Sequence, residues 1–232
     1  MAKFTYPALC IVSLIFSSLA MAENGVYNGP AFSAQELNYS KFDRNEVDKS
    51  KVYYSKDGNR SETEGPFGSE ILIVNYQQKN AWRVIPSKKW IMEMPLDAAG
   101  NSTAPALPPG MNIPIPMDEE DVDVSTLYDE KPCLDFDLTK KLGTESINGR
   151  QTEKWACGKS RTRRESMQWF DPKLKMVIKE EMDSGDINEL KNIKLGAQPA
   201  SLFQPPKGYR KLTQQQYMQE MMRQMQRGMM QK

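Results

Sequence analysis

Reversals of direction recur through the second half of this chain, and their spacing excludes most folds. Between residues 142 and 182 the turn pairs Asn148-Gly149, Gly158-Lys159 and Asp171-Pro172 separate short runs rich in Trp, Thr, Val, Ile and Met. Runs of strand length punctuated by turn dipeptides predict an antiparallel meander. Its strands fall at 145–147, 151–157, 160–170 and 175–182. A further strand at 186–195 carries Ile187, Ile193 and Leu195 on one parity.

The first half carries the same signals. Residues 32–42 read as an imperfect strand, after a loose leader at 23–30. Strands at 51–55 and 60–64 flank Asp57-Gly58, a dipeptide suited to a tight two-residue reversal. Residues 70–76 (EILIVNY) are apolar on both parities, which predicts a strand covered on both faces. Residues 81–86 return beside it with Trp82 and Val84 on one side. After a turn at 87–89, Trp90, Met92 and Met94 alternate against Ile91 and Glu93, a half-buried pattern. Trp82, Trp90, Met92 and Met94 are either plain core or the wall of an apolar cavity, since soft thioether side chains adapt to varied ligands.

Compartment follows from the amino terminus. Lys3, an apolar run over 9–19 and the small-residue site Ala20-Met21-Ala22 predict a secretory signal over residues 1–22, cleaved after Ala22. The apolar run is shorter than the roughly 20 residues that span a bilayer. Removing those 22 residues, which include the cation Lys3 and no acid, leaves 210 residues with 30 basic and 30 acidic side chains. A neutral chain argues against nucleic acid as a partner. It predicts a periplasmic protein, soluble or peripheral at a membrane.

Cys133 and Cys157 remain after cleavage, and two cysteines in an exported protein predict a disulfide. Closing that loop stabilises by about 3 kcal/mol. The chain has no histidine. That removes Ser-His-Asp and Cys-His nucleophile systems and histidine-based zinc or iron sites. No cofactor is expected, and an enzyme is the least favoured reading.

Two segments change character. Residues 96–131 hold Pro105, Pro108, Pro109, Pro114 and Pro116 and then an acidic cluster, which predicts a loop or lid with one helical turn near 124–128. Arg161, Arg163 and Arg164 form a small basic patch, read as a solvated edge. Residues 202–209 close the β domain, anchored by Phe203 and Tyr209. In the tail at 212–232, Thr213 to Gln216 forms a capping box, and Gly228 marks a stop. Met218, Met221, Met222, Met225 and Met229 recur on one side of that helix. That methionine face can pack on the sheet, meet a partner or lipid, or bind Cu(I) or Ag(I) through Met218, Met221, Met222 and Met225.

The segments LGTESINGRQTEKWAC, MQWFDPKLKMVIKEEM and LFQPPKGYR resemble an uncharacterised bacterial family of exported proteins. The resembling positions are Gly143, Glu145, Ile147, Gly149, Trp169, Phe203, Pro206, Gly208 and Tyr209, and the likeness covers about 51–209. That family is similar to the LolA/LolB/RseB superfold. The resemblance implies a mainly β chain, a strongly curved antiparallel half-barrel over residues 23–211. It also implies binding of a hydrophobic small molecule or a lipidated envelope protein in the concave face. A structural envelope protein with a self-filled cavity is the alternative. The oligomeric state is not legible.

Overall fold

The computed structural model describes residues 27–40, 47–65, 67–96, 131–134, 136–160 and 165–230. The predicted signal segment, most of the proline-rich loop with the helical turn expected in it, and the arginine patch lie outside them. The strands are β1 (Phe32–Tyr39), β2 (Val47–Ser55), β3 (Gly58–Gly65), β4 (Gly68–Asn75), β5 (Asn80–Ile85) and β6 (Trp90–Pro95). They continue as β7 (Leu138–Ile147), β8 (Arg150–Gly158), β9 (Glu165–Asp171), β10 (Met176–Met182), β11 (Ile187–Leu195) and β12 (Arg210–Leu212), followed by helix α1 (Gln214–Met230).

All twelve strands among the described residues belong to one sheet, in the order β12-β6-β5-β4-β3-β2-β1-β11-β10-β9-β8-β7. Every pairing is antiparallel except that of β12 with β6. The mainly β, antiparallel expectation therefore holds, but the strong curvature does not: the sheet is neither closed nor strongly curled. Closing a sheet needs its two edges to pair. Here one edge is the ten-residue β7 and the other the three-residue β12, which cannot match it.

Turn chemistry sets the hairpins. Asn148 and Gly149 both take positive φ, 52° and 74°, the backbone that a tight two-residue reversal between right-twisted strands requires. In the β2–β3 hairpin the loop is Lys56-Asp57, and Gly58 already pairs with Ser55. A Cβ on Gly58 would lie 2.1 Å from the Val74 carbonyl oxygen, so the position admits only glycine. The strand expected at 145–147 begins earlier, at Leu138, and the one expected from 160 is described from Glu165.

Three further differences have physical causes. Tyr27 is no loose leader: its hydroxyl donates to the Pro30 and Leu174 carbonyls, and its ring packs edge-on against Phe32 and Tyr54. Asn192, at φ 54°, sits in a bulge of β11 and breaks the parity expected for Ile187, Ile193 and Leu195. The short parallel β12 carries no local signal. The capping box forms as expected, with Thr213 N–H donating to Gln216 Oε1 at 2.9 Å and Gln216 N–H to Thr213 Oγ1 at 3.2 Å. The helix then runs past Gly228 to Met230.

Candidate functional site

Residues directly opposite on neighbouring strands share a face of the sheet. One row therefore runs Phe32, Tyr54, Asn59, Val74, Ala81, Met94 across six strands. The next row runs Ala34, Val52, Ser61, Leu72, Arg83, Met92, Leu212. These rows make one face apolar from β1 to β12, interrupted by Asn59, Ser61 and Arg83.

Two buried clusters cover this face. Tyr27, Phe32, Val52, Tyr54, Leu174, Met176, Ile178 and Leu190 form the first. Phe67, Val74, Ile85, Met92, Met94, Leu212 and Tyr217 form the second, with Trp90 and Met218 packed against it. Tyr76 touches both. The Tyr54 phenol is pushed well above its ordinary pKa by burial and then by Tyr76 and Glu36 nearby.

The first turn of α1 docks here. Phe67 packs edge-on against Trp90 at 5.6 Å and against Tyr217 at 5.9 Å. The Tyr217 hydroxyl donates to Glu70 Oε1 and accepts from Arg83, each at 3.4 Å. Burial raises the Tyr217 phenol pKa, and the Arg83 guanidinium opposes that rise.

Of the predicted wall, Trp90, Met92 and Met94 come together in this second cluster. Trp82 does not join them. It pairs with Glu93 and Ile73 and lies on the opposite face, in a separate cluster with Ile73, Val84 and Ile91. The register was within reach of the sequence. Ile85 faces Trp90 across the turn, and counting outward from there sets Ala81 opposite Met94. Tyr217 and Phe67 were missed because neither stands in an alternating run.

The other end of this face is polar. Gln168, Glu180, Asn188 and Asn38 lie in a row across β9, β10, β11 and β1. Gln168 Oε1 accepts the Cys133 N–H at 2.7 Å and its Nε2 donates to Glu180 at 3.0 Å. Cys133 is bonded to Cys157 of β8, with 5.2 Å between the Cα atoms. The bridge thus ties the end of the proline-rich segment to the sheet, as the cysteine count predicted.

In the methionine tail, Met218 is drawn into the apolar cluster while Met222 is 38% exposed. The side chains of Met221 and Met225 lie outside the described residues. No group of three or more Asp, Glu, Cys or His among the described residues could hold a metal ion. A cleft of about 420 Å³ lies elsewhere, lined in part by Lys49, Lys51, Lys194, Glu62 and Glu64.

No protein-family model matches the chain, and no curated protein matches its sequence. Solved structures do resemble it. An uncharacterised conserved protein from Thermus thermophilus is similar at 10% identity and TM-score 0.49, over 80% of this chain and 91% of that one. A chain of the Pseudomonas aeruginosa MucA/MucB complex is similar at 12% identity and TM-score 0.43, over 79% of this chain and 58% of that one. A LolA superfamily protein from Nitrosomonas europaea is similar at 10% identity and TM-score 0.32, over 79% of this chain and 94% of that one.

Proposed function

We propose that the chain is a non-catalytic binding protein of the bacterial envelope. It acts in the periplasm after cleavage behind Ala22 and holds a hydrophobic ligand, a lipid or the acyl group of a lipidated partner. The ligand lies on the apolar face at Trp90, Met92 and Met94. One observation carries this reading: the apolar rows continue in register from β1 to β12, and among the described residues one end is covered by Phe67 and the first turn of α1. Burying an acyl chain against that face gains about 0.8 kcal/mol for each methylene removed from water. Met92 and Met94 suit a ligand of variable shape, because an unbranched thioether chain repacks at small cost. Tyr217 and Met218 supply the helical side of the site.

Native mass spectrometry of gently purified mature protein tests this reading. The expected spectrum contains a co-purified lipid mass that is lost on delipidation and regained with added phospholipid. Spectra that stay ligand-free after exposure to lipid would sink it and favour a self-filled envelope protein.

A further inference from the structure

Among the described residues β7 has β8 on one side and no strand on the other, and nine of its ten residues are exposed. Leu138 is 58% and Leu142 46% exposed. An open edge of this length presents N–H and C=O groups that another strand can pair with.

The sequence of the edge, LTKKLGTESI, complements itself when run antiparallel. About a two-fold axis beside Leu142 and Gly143, Leu138 meets Ile147 and Thr139 meets Ser146. Lys140 then meets Glu145, and Lys141 meets Thr144. Each of these four pairings is apolar with apolar, hydroxyl with hydroxyl, or cation with acid or hydroxyl.

The backbone agrees with that register. Ile147 and Arg150 flank a two-residue turn and form a hydrogen-bonded pair. Ladder alternation then turns the N–H and C=O of Thr144 and Ser146 away from β8. The register shift between Lys141 and Gly143 adds one residue to β7 and reverses the alternation. Before the bulge it is Thr139 and Lys141 that point outward. Each outward residue therefore meets an outward residue, which a strand without the bulge would not achieve. The faces match as well: Thr139, Lys141 and Thr144 pair with Cys157, Trp155 and Glu153, all on one side of β8. The described contacts of Glu145, from Trp169 Nε1 at 2.8 Å and Lys154 at 3.4 Å, both use Oε2. Its Oε1 faces no described donor.

We infer that β7 pairs with β7 of a second copy of this chain, giving an isologous dimer with one continuous sheet. Cross-strand pairs of this kind contribute about 0.2–1 kcal/mol each, and like charges directly opposite are destabilising.

Sedimentation equilibrium of the mature full-length chain tests the inference. The wild type is expected to dimerise. Lys140→Glu sets acid against acid twice across the axis and should weaken dimerisation about tenfold or more. Glu145→Lys should do the same, and Lys140→Glu combined with Glu145→Lys should restore it. Ser146→Pro removes an N–H that β8 does not use and should give a folded monomer by circular dichroism, covering the case in which Glu145→Lys disturbs Trp169. A wild type that is monomeric at its highest soluble concentration would show that the bulge and lysines keep the edge apart. A dimer indifferent to Lys140→Glu and Ser146→Pro would also overturn the assignment.

Discussion

The Arg83 guanidinium stands 5.5 Å from the centre of the Tyr217 ring and donates to its hydroxyl, fastening the first turn of α1 to β5. Tyr217 is 4% exposed. Tyr217→Ala should therefore cost about 3 kcal/mol in urea unfolding. Tyr217→Phe keeps the ring contacts and should cost about 0.5–1 kcal/mol.

Trp82 and Trp90 belong to opposite faces of one hairpin. Phospholipid with brominated acyl chains should quench the fluorescence of the wild type. Quenching should survive in Trp82→Phe and largely vanish in Trp90→Phe. The opposite pattern would put the ligand on the wrong face.

The disulfide closes a sequence separation of 24 residues. Constraint of the unfolded chain by such a loop predicts a loss of about 3 kcal/mol on reduction or in the double Cys133→Ser, Cys157→Ser variant. Denaturant midpoints of the oxidised and reduced protein measure it.

Asp171 is 1% exposed, is ion-paired with Arg150 and accepts the N–H groups of Lys173 and Leu174 at 2.9 and 3.1 Å. It both closes the β9–β10 turn and neutralises a half-covered guanidinium. Asp171→Ala should cost about 3 kcal/mol, because it leaves Arg150 uncompensated and two amides without their acceptor. Asp171→Asn keeps an acceptor for the turn and should cost less. Urea midpoints of the two variants, set beside the wild type, give both costs.

Tyr54 predicts the alkaline limit. Its folded pKa lies above the unfolded value of about 10, chiefly through burial. The folded state thus holds the proton longer than the unfolded chain. Its contribution is complete below the unfolded pKa and is lost as pH rises through the folded one. Stability against urea should fall above about pH 10, and Tyr54→Phe should flatten that fall. A fall of equal steepness in the variant would assign it to other groups.

Much of the local structure was legible. Asn148-Gly149 marked a reversal because few residues accept positive φ there. Thr213 and Gln216 marked a helix start because their side chains reach each other's amides. The apolar run at 70–76 announced burial on both sides, and Ile73 and Val74 indeed lie in different clusters. The two cysteines outside the predicted signal segment named their own bridge.

What escaped was set by distance along the chain. Alternation divides each strand into two faces, but only the inter-strand register decides which face of one strand continues which face of the next. Contacts between remote segments likewise carried Tyr217 onto the sheet and buried Tyr27 beside Leu174. The parallel pairing of β12 with β6 joins segments far apart in the chain, Arg210 lying beside Trp90. The open sheet has edges of unequal length, a property of no single strand. The sequence by itself determined most of the turns and strands, the helix cap and the bridge, since those depend on groups a few residues apart or on thiol chemistry. The tertiary structure decided which apolar residues share a surface, because that depends on backbone hydrogen bonds between segments remote in sequence.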